Sequence, residues 1–199
     1  MFNLQFASVL AIIGAVSAQN IITVPAADSV TSGSAAEAVA TPEQKIVSSI
    51  DCSSGFTKSG GLNANIDSKT SAVVLSDAQE LVTGDNAVQV VFTECSSDAL
   101  STNSSGSTHY GLLSPNNAAQ KTCIAIEALA QSNQHFKAVD CEKSDDSSQL
   151  AQTWVYDSDK NSLQFLGRSN GGAPYALGST NSFITASPNG TASAELLLQ

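Results

Sequence analysis

Short runs in which apolar and polar residues alternate, separated by polar turns, extend from residue 47 to residue 199. A period of two is typical of strands that bury one face. Seven segments have this character and are predicted strands: residues 71–75, 87–92, 122–126, 135–139, 153–156, 163–166 and 182–186. Residues 80–82 and 125–130 could form helical turns, but no stretch keeps a helical period of about 3.6 residues over about twelve positions. The pattern therefore predicts an all-β fold.

A faint internal repeat runs through the same region. A shift of 46 residues (141 − 95) aligns residues 91–95 with residues 137–141, and each segment ends in an acidic residue followed by cysteine. Downstream, Thr108-His-Tyr110 lies near the place that Gln152-Thr-Trp154 holds in the second copy. Residues 163–199 would form a third, shorter unit. Because repeats set the architecture, we expect three units of about 45 residues each.

The N-terminal region is predicted to lie outside the folded domain. Residues 1–18 contain an apolar run and end in Val16-Ser17-Ala18, which is typical of a signal peptide and is too short for a permanent membrane span. Residues 19–44 are rich in Ala, Ser, Thr and Val and bury too little apolar area to offset their ordering entropy, so we expect a flexible tail or pro-segment. Residues 45–199 remain as one domain, which can bury about 70% of its unfolded-chain surface.

Cysteine usage agrees with a secreted, extracellular location. Cys52, Cys95, Cys123 and Cys141 are even in number, which favours disulfide bonds in an exported chain. The cysteines form no C-x-x-C pair, and His109 and His135 are the only histidines, so the ligand spacing of a zinc site is missing. No metal or other cofactor is expected.

The middle of the domain resembles a known family. Cys123-Ile-Ala-Ile, Cys141, Gln152-Thr-Trp154 and the turn after Tyr156 are similar to one repeat of the ricin-B-type lectins, over about Cys123 to Phe165. The resemblance implies a β-trefoil with three pseudo-repeats and a Cys123–Cys141 bridge within one lobe, which leaves Cys52–Cys95 as the second bridge. It also implies that Gln152 and Trp154 are structural residues that hold lobes together.

The resemblance further implies carbohydrate binding at an extracellular surface, but the sugar-binding positions of the middle lobe have changed. They hold Ala125, Lys137, Val139 and Ala151, which removes both the acidic hydrogen-bond acceptor and the stacking ring. Sugar hydroxyls need paired donors and acceptors, so this lobe is a poor site.

The third lobe provides the candidate ligand-binding residues. Asn170, Tyr175 and Asn181 combine an aromatic ring with amides in a glycine-rich setting, which could form a shallow glycan site. The alternative is that Tyr175 packs in the barrel and that the amides cap turns.

The sequence offers no catalytic residues. Residues 167–171 match the G-x-S-x-G pattern, but that mechanism needs a later acid and histidine, and only Glu195 follows. Residues 157–161 begin like a calcium-binding loop, yet Ser162 stands where glycine is required and Arg168 where the bidentate glutamate is required. We interpret these segments as a small-residue loop and a hairpin turn.

Charge and modification motifs complete the analysis. A net charge of −10 with only eight Lys and Arg residues argues against a nucleic-acid partner. Asn103 and Asn189 begin N-glycosylation motifs. Two functions remain open: carbohydrate binding, or protein binding by a trefoil that has lost its sugar sites, such as a protease inhibitor or host-interaction factor.

Overall fold

The structure is a computed structural model that describes residues 48–53, 55–102, 104–116, 121–168 and 173–199. The predicted signal peptide 1–18 and the predicted tail 19–44 lie outside the described residues. A short 3-10 helix spans Ser147–Ala151. The strands within the described ranges are β1 Thr57–Ile66, β2 Lys69–Leu75, β3 Leu81–Gly84, β4 Gln89–Glu94, β5 Thr108–Pro115, β6 Thr122–Ala125, β7 Gln134–His135, β8 Lys137–Asp140, β9 Thr153–Asp157, β10 Ser162–Phe165, β11 Ala176–Thr180, β12 Phe183–Ser187 and β13 Ala194–Leu198. The all-β prediction is therefore confirmed.

Six of these strands close into an antiparallel barrel in the order β1–β4–β5–β9–β10–β13, and β13 returns to β1. β1 is long enough to complete the ring, because Thr57–Gly61 pairs with β4 while Leu62–Ile66 pairs with β13. Closure leaves no free edge within the ring, so each barrel strand is hydrogen-bonded on both sides.

Alternate residues of the strands point into one continuous core. Its fully buried large side chains include Leu62, Phe92, Leu113, Phe136, Trp154, Tyr156, Leu163, Phe165, Ile184 and Leu196. Phe165 packs edge-on against Trp154, with ring centroids 5.3 Å apart, and edge-on against Phe136, with centroids 5.1 Å apart. Aromatic pairs in this geometry add about 0.5–1.5 kcal/mol each beyond the area they bury.

One glycine makes close strand contact possible. A Cβ atom on Gly111, in β5, would overlap the carbonyl oxygen of Thr93 in β4. A side chain at this position would separate two neighbouring barrel strands.

The remaining strands lie outside the barrel. The β2–β3 hairpin continues from β1, and β12 joins β3 through the single pair Phe183↔Val82. β11 pairs with β12, which also receives the two-residue β7. β6 and β8 form a separate two-stranded sheet.

The prediction of a β-trefoil with three pseudo-repeats is wrong, because the aligned segments occupy different places. Residues 91–95 include the end of β4, a barrel strand between β1 and β5, whereas residues 137–141 include β8, which pairs with β6 outside the barrel. Residues 108–110 and 152–154 belong to strands that pair with each other, through Tyr110↔Val155 and its neighbours. The fold is a closed β-barrel with added strands, in which the segments matched by sequence are not equivalent.

Both disulfides join the cysteines that the resemblance implied. Cys52–Cys95 ties the segment before β1 to the end of β4, across a sequence separation of 43. Cys123–Cys141 ties the first residues of β6 to the end of β8, across a separation of 18. Two disulfides are typical of extracellular proteins. Among the described residues, no helix has the length and apolar character needed to cross a membrane.

Candidate functional site

The two residues predicted to be structural are buried. Trp154 is 0% exposed, and its indole Nε1 donates a 2.9 Å hydrogen bond to the carbonyl oxygen of Ile124 in β6. The Gln152 carboxamide accepts a hydrogen bond from the Glu142 backbone N–H at 3.1 Å and donates to Oε1 of Gln149 at 2.9 Å. These contacts attach the β6–β8 sheet and the loop after Cys141 to the barrel.

The four positions that the lectin resemblance assigned to sugar binding do not form a polar site. Ala125 and Lys137 are register partners at one end of the β6–β8 sheet, and Ala125 is buried. Val139 is 38% exposed. Ala151 ends the 3-10 helix, and its carbonyl oxygen accepts a hydrogen bond from Ile126.

Two of the candidate ligand residues, Tyr175 and Asn181, are not brought together. Tyr175 is only 6% exposed; its ring lies edge-on to Phe165, and its hydroxyl accepts a hydrogen bond from the Ala130 N–H at 3.1 Å. Asn181 lies in the turn after β11, six residues further along (181 − 175), which is about 20 Å in an extended strand. Asn170 lies outside the described residues.

A groove of polar, uncharged residues runs along β11 and is here called the hydroxyl groove. It encloses about 260 Å³. Its lining residues are Asn133, Ala176, Leu177, Gly178, Ser179, Thr180, Thr185, Ser187, Gly190, Thr191 and Ser193. No charged side chain occurs among these described residues.

The groove is open because its floor has no side chain. A Cβ atom on Gly178 would lie 3.2 Å from Oγ of Ser193 and 3.3 Å from Oγ1 of Thr185, so the glycine leaves space between two hydroxyl groups. The Ser193 N–H donates a 2.9 Å hydrogen bond to the Leu177 carbonyl oxygen, which holds the segment after β12 against β11. Donors and acceptors are thus arranged around an uncharged space.

Asn133 connects the hydroxyl groove with a second depression, the charged pocket. The Asn133 N–H donates to Oγ of Ser187 at 2.8 Å. The charged pocket encloses about 220 Å³ and is lined by Glu80, Glu127, Asn133, Gln134, His135 and Lys137. The two depressions therefore share one wall residue.

Lys137 organises the charged pocket. Its Nζ lies 2.8 Å from Oε1 of Glu127 and 3.6 Å from Oε1 of Glu80. The hydrogen bond from Lys137 holds the pKa of Glu127 below its ordinary value, and the same contact raises the pKa of Lys137. Nδ1 of His135 lies 3.4 Å from Glu80, and the imidazole ring stacks on Phe183 with centroids 4.3 Å apart.

An apolar depression of about 410 Å³ lies next to the hydroxyl groove and shares Ala176, Leu177 and Gly190 with it. Tyr175 lines it together with Pro174 and Ala192. The small side chains make a shallow, mostly apolar surface beside the polar groove.

A separate polar cluster joins the segment before β1 to the barrel. Oε2 of Glu94 accepts a hydrogen bond from the Phe56 N–H at 3.0 Å and lies 3.0 Å from Nδ1 of His109. The His109 ring stacks on Phe56 with centroids 4.4 Å apart. Burial opposes ionisation of Glu94, but hydrogen bonds from Ser104, Phe56 and His109 outweigh it and lower the Glu94 pKa.

The segment that begins like a calcium-binding loop forms a hairpin turn. Oδ1 of Asp157 accepts hydrogen bonds from the Asp159 and Lys160 N–H groups, as in a capped hairpin turn. Within the described part of the chain, no group of three His, Cys, Asp or Glu residues could hold a metal ion.

The predicted glycosylation site Asn189 is exposed in the turn after β12. Its Oδ1 accepts a 2.9 Å hydrogen bond from Nη2 of Arg168. The other predicted acceptor, Asn103, lies outside the described residues.

Sequence reasoning did not find the hydroxyl groove. Its lining comes from Gly178-Ser179-Thr180 and from residues of the Ser- and Thr-rich segment 185–193, two stretches that look like ordinary turn and linker composition. Their common surface exists only because β11 pairs with β12 and the loop after β12 folds back over β11.

Comparison with known proteins adds no family assignment. A scan against models of protein families finds no match for this sequence, and a search of curated proteins finds no similar protein.

Proposed function

We propose that this chain is a secreted, non-catalytic protein that binds an uncharged carbohydrate in the hydroxyl groove. The observation that carries the proposal is the groove itself, in which Asn133 and a set of hydroxyl groups surround the side-chain-free floor at Gly178.

The chemistry of the groove suits a neutral sugar. Each sugar hydroxyl that leaves water needs a protein donor or acceptor in its place, because an unpaired buried polar group costs about 1–3 kcal/mol. Thr185 and Ser193 carry hydroxyl groups that can act both as donors and as acceptors, and they flank the floor on two sides. Binding of a ligand in the groove would not require any charged protein side chain there to lose its bound water.

The size of the groove indicates a small or shallow ligand contact. Its volume of about 260 Å³ is below the range of about 300–1,000 Å³ typical of small-molecule pockets. We therefore expect one or two sugar units to be bound, as part of a longer chain that extends into solvent.

A glycan array with the oxidised protein tests the proposal. We expect signals from neutral oligosaccharides and weaker ones from uronic or sialic acids, because the chain carries a net charge of −10. Filling the floor by Gly178→Val should abolish those signals. Silence across the neutral glycans would contradict the proposal.

A matched pair of substitutions separates loss of binding from loss of folding. Thr185→Val removes a groove hydroxyl without changing shape, and Thr83→Val makes the same change in β3, outside the groove. Weaker binding by the first variant alone is the expected result. Equal binding by both variants would place the site elsewhere. The protein-binding alternative stays a prediction, which titration of secreted proteases with the protein would test.

A further inference from the structure

We infer that Asn189 carries an N-linked glycan and that this glycan covers the hydroxyl groove, so that the protein's own sugar competes with external ligand. Competition between the attached glycan and an external sugar rests on the proposed function. It concerns the turn after β12, where the glycosylation motif and the groove meet.

The motif and the groove share residues. Asn189 begins the motif Asn189-Gly190-Thr191, and the two residues that follow it both line the hydroxyl groove. Gly190 lies close against the groove wall, because a Cβ on it would be 3.1 Å from Cβ of Ser187 and 3.3 Å from Cβ of Ala176. The attachment point is therefore at the rim of the groove.

The hydrogen bond between Arg168 and Asn189 uses the amide oxygen of Asn189 and not the atom that is glycosylated. Arg168 donates to Oδ1, whereas glycosylation uses the other amide atom, Nδ2. In that reaction Nδ2 loses a proton and forms a bond to the anomeric carbon of an oligosaccharide. The bond from that carbon to the diphosphate of a lipid carrier breaks, and the diphosphate leaves with the electron pair.

The groove offers the attached sugar a complementary surface. Its first units carry hydroxyl and amide groups and no charge, which matches a lining of Ser, Thr and Asn side chains. Attachment at the rim also gives the sugar a high effective concentration, because a short tether converts binding into an intramolecular event. Weak individual contacts can then keep the groove covered.

The consequence is a measurable reduction in external affinity. If the attached glycan covers the groove for nine-tenths of the time, the apparent affinity for a free ligand falls about tenfold. Removal of the Asn189 glycan should therefore raise the apparent affinity about tenfold. Removal of a glycan elsewhere on the chain should leave the affinity unchanged.

The experiment compares three full-length proteins secreted from the same eukaryotic cells: the unchanged chain, Asn189→Gln and Asn103→Gln. Peptide mapping by mass spectrometry first establishes that Asn189 is modified. Binding of a neutral oligosaccharide from the array is then measured, together with hydrogen exchange of peptides that cover β11 and β12. The Asn103→Gln variant is the matched control, since it removes the other motif and neither neighbour of residue 103 lines the groove.

We expect Asn189→Gln to bind about tenfold more tightly and to exchange faster in β11, with Asn103→Gln unchanged in both measurements. An unmodified Asn189, or equal exchange and affinity in all three proteins, would overturn the inference. If no protein binds sugar but only Asn189→Gln loses protection in β11, the proposed function fails and the coverage of the groove stands.

Discussion

Trp154 illustrates at the residue scale how one side chain joins two parts of the fold. Its ring fills the barrel beside Phe165, and its indole N–H reaches the backbone of β6 outside the barrel. The indole therefore contributes apolar burial through its ring and a donated hydrogen bond through its N–H. The sequence motif that contains it predicts burial but not this bridge.

Substitution of Trp154 should separate these two contributions. Trp154→Ala should lower the free energy of unfolding by about 3–5 kcal/mol because it leaves a cavity. Trp154→Phe keeps much of the apolar contact but leaves the Ile124 carbonyl without its partner, so we expect a loss of about 1–3 kcal/mol. Urea unfolding followed by circular dichroism measures both values.

Val139→Ala is the control for these variants, since Val139 is 38% exposed and most surface changes alter stability by less than about 0.5 kcal/mol. Equal losses of unfolding free energy in Trp154→Ala and Val139→Ala would contradict the central position of Trp154.

The lowered pKa of Glu94 predicts that the free energy of unfolding depends on pH. Its pKa in the folded protein lies below the ordinary value of 4.5, since hydrogen bonds to the ionised carboxylate outweigh the effect of burial. The contribution of Glu94 is therefore complete above pH 4.5 and is lost as the pH falls through the folded pKa. Glu94→Gln should be less stable than the unchanged protein at pH 7, and this difference should shrink below pH 4.5.

Urea unfolding of both proteins between pH 3 and pH 7 checks this expectation. His109 and Ser104 also contact the carboxylate, so His109→Gln serves as a comparison that leaves Glu94 in place. A stability difference for Glu94→Gln that stays constant over the whole range would show that ionisation of Glu94 is not involved.

At the scale of elements, strands with clear alternation were predictable and strands with glycine were not. Predicted segments 71–75, 153–156 and 163–166 fall within or next to β2, β9 and β10. β1 and β5 were missed because Gly60, Gly61 and Gly111 interrupt their apolar pattern. Gly60 and Gly111 are needed because another backbone passes closely at each of them. The helical turn considered at residues 80–82 is instead a bridge residue followed by β3.

The segment 135–139 shows a second limit. It was predicted as one strand, but Phe136 divides it into β7 and β8. The Phe136 carbonyl accepts from the Leu81 N–H, whereas its own N–H donates to Ile184. One residue that pairs with two separate strands cannot be recognised from a local pattern.

The two-stranded β6–β8 sheet should depend on its disulfide. Isolated two-stranded sheets are marginally stable in water, and Cys123–Cys141 closes the end of this one. Replacing both cysteines by alanine should lower the free energy of unfolding by about 3 kcal/mol in the chain-entropy model. Hydrogen exchange should increase first in residues 122–140, while β1 and β13 stay protected; uniform loss of protection would contradict this local role.

At the scale of the whole molecule, closure of the barrel determines what the sequence could reveal. The all-β class follows from strand patterns, but the pairing order depends on contacts between distant segments. The predicted threefold repeat failed for this reason, since matching Glu94-Cys95 with Asp140-Cys141 equates a barrel strand with a strand outside the barrel. The hydroxyl groove likewise depends on tertiary pairing.

Removal of the final barrel strand should abolish the native state. A chain that ends at Ser193 lacks β13 and its buried Leu196 and Leu198, and it leaves β1 and β10 with open edges. Open edges and exposed core residues favour aggregation, so we expect loss of the cooperative thermal transition. Circular dichroism and size-exclusion chromatography measure the effect, with Glu195→Ala in the full chain as control. A cooperative, monomeric truncated protein would show that β13 is dispensable.

The pairing of Leu62 with Leu198 has a consequence for synthesis of the protein. The ring cannot be completed while residue 198 is still inside the ribosome. About 140 residues must therefore emerge after the start of β1 before this strand can pair with β13. During that interval the side of β1 that pairs with β13 presents unpaired backbone groups, a feature that favours pairing with other incompletely folded chains.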